Sequence, residues 1–154
     1  TPGWAGSSLD QFAVPVQAQV STQRLGASVP WHSLQGLGLD RIHAYEQQLT
    51  RLLFDRLGAI DGVRVLGPTP HQQPDRGALA AFTVEGIHAN DLAALLDSAG
   101  ICIRSGHHCT QPLHRLYGIA GSARASLSFT TTVEEIDRFA EELAGTIAFL
   151  REHS

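Results

Sequence analysis

The sequence contains no lysine, and all 11 of its Lys and Arg residues are arginines. Without that side-chain amine, no residue inside the chain can form a Schiff base with a carbonyl compound. Charge is scarce in general, with 17% charged residues and a formal net charge of −4. The arginines are not clustered, so the sequence predicts no nucleic-acid partner.

Cysteines and long hydrophobic runs are also few. Cys102 and Cys109 are the two cysteines of the 154 residues, which is too few for a disulfide framework. Their number favours a reducing, cytoplasmic compartment. No apolar run reaches the roughly 18 residues that a membrane span needs. No basic segment followed by an apolar stretch opens the chain, so the sequence predicts neither a membrane span nor a secretory signal.

The composition is that of a folded domain whose organisation changes at about residue 38. The hydrophobic fraction is 43% over 154 residues, which suffices for one domain with a core. Glycine and proline punctuate residues 1–37, so an irregular N-terminal arm is expected there, with one candidate strand at 14–20. Residues 38–154 show the regular patterns of a second, folded segment.

Regular helix and strand patterns in residues 38–154 predict an α+β fold. The order α-β-β-α-β-α-β-α is typical of a two-layer sandwich, in which helices cover one face of a small sheet. Asp40 is expected to cap the first helix and Gly58 to end it. Thr132 and Glu135 have the spacing of a capping box. The predicted helices are 40–57, 90–99, 112–117 and one after 132, and the predicted strands are 63–66, 79–84 (buried on both faces), 101–103 and 125–129.

Cys109 is the leading candidate for chemistry. It follows a predicted strand on a glycine-containing loop, next to His107 and His108, with Arg104 upstream. Nearby cations lower a thiol pKa, and the thiolate is the nucleophilic form. The alternative is a small buried cysteine without a chemical role. Cys102, between two isoleucines, is expected to pack in the core.

A zinc site is an alternative use of the same stretch. His107, His108, Cys109 and His114 are four ligand-type residues within eight positions. Side chains of adjacent residues diverge, however, and structural zinc sites usually combine paired ligands from two clusters. No second cluster is visible in the sequence, so no metal site is predicted.

Arg124 is the second candidate residue. It begins a predicted strand of otherwise small and apolar residues, so its guanidinium must find a carboxylate, a carbonyl or water. Two interpretations remain open. One is a structural ion pair, and the other is bidentate capture of a substrate carboxylate.

Taken together, these segments resemble the C-terminal part of cysteine desulfurases, of the selenocysteine lyase-like type within the class-V aminotransferases. The resemblance covers about residues 36–150, and its motifs occur in the family's order. The matching segments are Gly38-Leu39-Asp40-Arg41-Ile42-His43-Ala44-Tyr45-Glu46, Phe82-Thr83-Val84-Glu85-Gly86-Ile87-His88, Arg104-Ser105-Gly106-His107-His108-Cys109-Thr110-Gln111-Pro112-Leu113, Ala123-Arg124-Ala125-Ser126 and Glu134-Glu135-Ile136-Asp137-Arg138.

The resemblance implies a fold like the C-terminal small domain of fold-type I pyridoxal-phosphate enzymes. It also implies L-cysteine as substrate, a homodimer, a sulfur-acceptor protein and a link to iron–sulfur cluster assembly. Cys109 matches the cysteine that attacks the substrate sulfur and holds it as a persulfide. The other implied site residues are Arg124 for the substrate carboxylate, Arg104 in the same cleft and Thr1 for a cofactor phosphate. His107 and His108 are catalytic candidates because they lie next to Cys109 in the sequence.

The sequence also departs from the family. The family's Schiff-base lysine belongs to an upstream domain outside the match, and residues 3–35 do not follow the family. Thr130 and Thr131 stand where the family usually has Tyr-Asn. We therefore expect a truncated domain that carries the persulfide-forming cysteine, binds no cofactor alone and does not desulfurate cysteine unaided. The alternatives are a hydrolase or sulfur-transfer activity that pairs Cys109 with His107 or His108, and a non-catalytic interaction or dimerisation module.

Overall fold

A computed structural model describes residues 31–153, with side chains from residue 34 onward. The candidate strand at 14–20 and Thr1 therefore lie outside the described residues. The helices are α1 (Trp31–Leu37), α2 (Leu39–Gly58), α3 (Ala89–Ser98), α4 (Gln111–Tyr117) and α5 (Val133–Glu152). The strands are β1 (Val63–Leu66), β2 (Leu79–Val84), β3 (Arg104–Gly106) and β4 (Ser122–Ser126).

The four strands form one antiparallel sheet in the order β1-β2-β4-β3. Strand β2 pairs with β1 through Val65 and Phe82, and with β4 through Phe82 and Ala123. Strand β3 lies at the far edge and pairs only with β4 within the described residues. The small sheet and its helices confirm the predicted α+β architecture.

The core lies between one face of this sheet and the helices α2, α3 and α5. Alternate residues of β2 and β4 point into it, so Phe82 and Ala123 are fully buried. Phe82 also meets Phe139 of α5 edge to face, with ring centroids 6.3 Å apart. The other residues of β2, such as Ala81, are only half-buried. The prediction that both faces of β2 are buried is therefore wrong, because the long helices cover a single face.

The helix ends agree with the sequence in part. Thr132 and Glu135 form the predicted capping box of α5. The N-cap of α2 is Gly38 rather than Asp40, which lies in the first turn. Helix α2 also includes Gly58, and its C-cap is Ala59. No helix in residues 31–153 is long and apolar enough to cross a membrane.

The last two strands begin at other residues than predicted. Strand β3 is Arg104–Gly106 instead of 101–103, and β4 is Ser122–Ser126 instead of 125–129. Ile101 and Ile103 do pack against the core, which explains the apolar alternation. Alternation reports which side chains face the core, whereas a strand requires a hydrogen-bonded neighbour.

Candidate functional site

The loop between β3 and α4 holds the leading candidate, Cys109, in an unusual conformation. His108 and Cys109 have φ angles of 50° and 62°, in the left-handed region. Each such residue costs roughly 1–2 kcal/mol when it is not glycine. The backbone N–H and the hydroxyl of Thr110 both donate to the His107 carbonyl, at 2.8 Å each. Further contacts must hold this loop, because its local conformation is unfavourable.

The two cysteines are both exposed and free, but their surroundings differ. The thiol of Cys102 faces the carboxylate of Asp97, with Sγ 3.6 Å from Oδ1. The expected core position of Cys102 is therefore wrong. Ile101 and Ile103 turn toward the core, so the residue between them points outward. Cys109, by contrast, lies within electrostatic reach of a cationic side chain, that of Arg124.

Two arginines lie directly opposite each other beside this loop. Arg104 of β3 and Arg124 of β4 are cross-strand partners, so their side chains leave the same face of the sheet. The Nε atom of Arg124 is buried and has no hydrogen-bond partner among residues 31–153. Burial, and then the neighbouring Arg104, lower the pKa of Arg124, whereas the charge of Cys109 raises it. Like charges at this spacing repel each other, so an anion between them would be stabilised.

His108 is fixed against β4. Its Nε2 lies 3.0 Å from the carbonyl oxygen of Ser122, which can only accept, so Nε2 carries the proton. Burial has the largest effect on the pKa of His108 and lowers it. The hydrogen bond to Ser122 raises this pKa, whereas the nearby Arg124, His114 and Arg104 lower it. His108 is therefore neutral at pH 7.

Neither predicted histidine forms a pair with Cys109 in the structure. His107 is exposed and meets the ring of His114 edge to face at 5.4 Å. Within residues 31–153, no histidine hydrogen-bonds the thiol of Cys109. His107 and His108 thus lie beside the cysteine, as predicted, while their catalytic role remains a prediction.

His114 and Ser122 are two site residues that the sequence did not identify in this role. His114 is 4% exposed and Ser122 is 1% exposed. Nδ1 of His114 is 3.0 Å from the Thr110 carbonyl, and Nε2 is 2.9 Å from the Ser122 hydroxyl. The four-residue spacing of Thr110 and His114 across a helix start was the available signal, because such residues are neighbours on a helix. In residues 31–153 no group of histidines, cysteines and carboxylates is arranged to hold a metal.

A small cavity opens beside these residues on the sheet face that the long helices leave uncovered. Its volume is about 160 Å³. The polar lining includes Arg124, His108 and Ser122, and the apolar lining includes Leu66, Ala81 and Leu113. A cationic group beside a small, largely apolar cavity suits a small anionic ligand.

Comparison with protein families matches residues 20–139 to the class-V aminotransferases. A probable cysteine desulfurase from Synechocystis is 53% identical over 139 residues, which cover 90% of this chain and 32% of that protein. A probable cysteine desulfurase from Halobacterium salinarum is 47% identical over 104 residues, covering 68% of this chain and 24% of that protein. The chain therefore spans about a third or less of the length of these relatives.

Solved structures show the same likeness. The apo cysteine desulfurase from Thermococcus onnurineus matches with a TM-score of 0.69 and 32% identity, over 74% of this chain and 28% of that one. A cysteine desulfurase from Escherichia coli matches with a TM-score of 0.68 and 25% identity, over 82% of this chain and 33% of that one. The family match, the desulfurase relatives and this shared fold together show that the chain belongs to the class-V aminotransferase family.

Proposed function

We propose that this chain supplies the sulfur-accepting half of a cysteine desulfurase site. In this role the Cys109 thiolate attacks the sulfur of the substrate cysteine and forms a persulfide, while the carbon–sulfur bond of the substrate breaks and leaves its electron pair on the carbon, which is then protonated. Arg124 with Arg104 binds the carboxylate of the amino-acid substrate. The single observation that carries the proposal is the cross-strand pair Arg104 and Arg124 beside the Cys109 loop. Within residues 31–153 no carboxylate forms an ion pair with either arginine.

Arg124 can bind a carboxylate because its guanidinium is already half-buried and lacks a partner at Nε. A buried donor without a partner is costly, and a bound carboxylate oxygen would satisfy it. The same guanidinium lies within electrostatic reach of Cys109. One cationic pair therefore borders both the ligand site and the cysteine.

The residues of this chain do not fit covalent attachment of pyridoxal phosphate, the cofactor of the family. Attachment requires a lysine amine, and the sequence contains none. Cleavage of the carbon–sulfur bond of cysteine therefore requires a lysine outside these 154 residues in the proposed function. We infer that a lysine-bearing segment completes the site.

The thiol reactivity of Cys109 tests the proposed role. Cys109 should react with iodoacetamide about tenfold faster than Cys102 at pH 7, because Arg124 lies near Cys109 whereas the Asp97 carboxylate faces the Cys102 thiol. Trypsin cleaves after Arg104 and Arg115, so the two cysteines fall in separate peptides and mass spectrometry measures both rates in one sample. In urea the two rates should converge. Equal rates in the folded protein would overturn the proposed function.

Activity assays on the isolated chain test whether it can cleave the carbon–sulfur bond of cysteine by itself. With L-cysteine and pyridoxal phosphate, the chain should release no sulfide above a no-protein control. Borohydride reduction should trap no cofactor on any side chain, because the only amine of the chain is at its N-terminus. Sulfide release by these 154 residues alone would contradict the assignment of carbon–sulfur bond cleavage to a lysine outside them.

Exposed apolar residues of α4 favour a second candidate function, an interaction module. Leu113, Leu116 and Tyr117 are 46%, 81% and 42% exposed and follow the Cys109 loop directly. Around the start of α2, Leu37 and Leu39 are 48% and 47% exposed. A symmetric homodimer is the commonest way to bury such surface. Light scattering over a concentration series should show a dimer at micromolar concentration, and Leu116→Glu should shift it toward monomer.

A further inference from the structure

Both residues that flank Cys109 in the sequence are linked to Ser122 by hydrogen bonds, His108 directly and Thr110 through His114. His108, which precedes it, donates from Nε2 to the Ser122 carbonyl at 3.0 Å. Thr110, which follows it, accepts at its carbonyl from Nδ1 of His114 at 3.0 Å. The ring of His114 then reaches the Ser122 hydroxyl at 2.9 Å. These hydrogen bonds close a ring that begins and ends at Ser122 and includes the backbone of Cys109.

The proton positions in this ring are determined by the two carbonyls. The carbonyl oxygens of Ser122 and Thr110 can only accept, so Nε2 of His108 and Nδ1 of His114 must donate. A neutral His114 then has a lone pair at Nε2, which accepts from the Ser122 hydroxyl. In this tautomer both ring nitrogens of His114 have hydrogen-bond partners, although His114 and Ser122 are almost completely buried.

The ring also accounts for the left-handed backbone of the loop. Two consecutive non-glycine residues at positive φ, His108 and Cys109, are unfavourable unless the surroundings impose the conformation. The two anchors lie immediately before and after Cys109, whose own thiol is exposed. The loop is therefore held by its neighbours, while the sulfur stays available.

We propose that His114 is a positioning residue for Cys109, which closes this ring through Ser122 and holds the thiol beside Arg124. The inference rests on the proposed function insofar as Cys109 is taken as the nucleophile. His114 contacts no reacting atom in this role. It acts by restricting the loop to the conformation in which the thiolate lies near the arginines.

The test compares the alkylation rates of Cys109 and Cys102 in the folded protein, with Cys102 as the internal reference. His114→Leu removes both hydrogen bonds at similar volume, and the Cys109 to Cys102 ratio should fall about threefold or more because the thiolate loses its fixed position. His114→Asn retains a donor toward the Thr110 carbonyl and should restore part of the ratio. Ser122→Ala removes only the hydroxyl and should have a smaller effect than His114→Leu.

A matched control separates positioning from general loss of stability. Leu143→Ala removes a fully buried side chain of α5 in the core between the helices and the sheet, away from the loop. It should lower the melting temperature and leave the ratio unchanged. The double variant His114→Leu with Ser122→Ala should lower the ratio no further than His114→Leu alone, because both act through one ring.

The outcomes distinguish this inference from the proposed function. If wild-type Cys109 reacts no faster than Cys102, the proposed function fails and the positioning role fails with it. If wild-type Cys109 is fast and both His114→Leu and Ser122→Ala leave the ratio unchanged, the positioning role alone is overturned. A fall in the ratio for Leu143→Ala equal to that for His114→Leu would also overturn it.

Discussion

The two faces of the sheet differ in what covers them and in what they carry. The face under α2, α3 and α5 presents small and apolar residues such as Phe82 and Ala123, which are fully buried. The opposite face presents Arg104, Arg124 and Ser122, and among residues 31–153 the short helix α4 lies against it. The covered face has the packing of a domain core, whereas the open face has charges, a cavity and a strained loop.

The residues that stabilise the fold therefore lie on one face of the sheet, and the candidate functional residues lie on the other. Strained backbone and unpaired buried donors persist only where the rest of the fold supports them. Here the loop at Cys109 and the Nε atom of Arg124 are such features on the open face, whereas a second unpaired buried donor, Nε of Arg76, belongs to a guanidinium that lies over Phe54 of α2. The apolar core on the other face provides the stability that offsets them.

The largest expected effect is on the covered face. Leu53→Ala should destabilise the protein by about 2–5 kcal/mol, because Leu53 is fully buried and its removal leaves a cavity. Urea unfolding measures this change. The Cys109 to Cys102 alkylation ratio of the folded variant should equal that of the wild type, and a lowered ratio would show that the two faces are coupled.

A smaller effect on stability is expected at the start of α5. Thr132→Ala should cost about 1 kcal/mol, because the hydroxyl caps the backbone N–H of Glu135. Thr132→Ser keeps that hydroxyl and is the matched control. If the two variants unfold at the same urea concentration, the capping box does not contribute to stability.

On the open face, Arg124→Met should change stability by less than ~1 kcal/mol, because it removes a desolvated cation that has no protein partner at Nε. Its effect should instead fall on Cys109, whose alkylation should slow several-fold as the thiolate loses a nearby charge. Arg64→Met, an exposed position on β1, is the control and should leave the rate unchanged. A loss of stability as large as that of Leu53→Ala would show that Arg124 is a structural residue.

The smallest effect is expected from the pH dependence of His108. Its pKa is lowered in the folded protein, so the unfolded chain binds the proton more readily. The stability that this contributes is present above the unfolded pKa of about 6.5 and is lost as the pH falls toward the folded pKa. The drop in melting temperature from pH 7.5 to 5.5 should therefore be slightly larger for the wild type than for His108→Gln. An equal drop would contradict the lowered pKa of His108 in the folded protein.

Local sequence determined most of the fold. Helices α2, α3 and α5 follow from the 3.6-residue spacing of their apolar residues, and the capping box of α5 follows from Thr132 and Glu135. Strands β1 and β2 were predicted at the residues where they occur. The candidate residues Cys109, Arg104 and Arg124 were also identified, from residue type and from the resemblance to the family. Each of these features depends on residues that are close together in the sequence.

Only the tertiary structure decided which distant residues meet. Strand β3 begins at Arg104 because β4 pairs there, and this register places Arg104 opposite Arg124. Cys102 is exposed because its neighbours turn inward. The ring of His114 and Ser122 joins residues eight positions apart across a helix and a strand. Hydrogen bonds between separate elements depend on how those elements pack, and no spacing in the sequence specifies that packing.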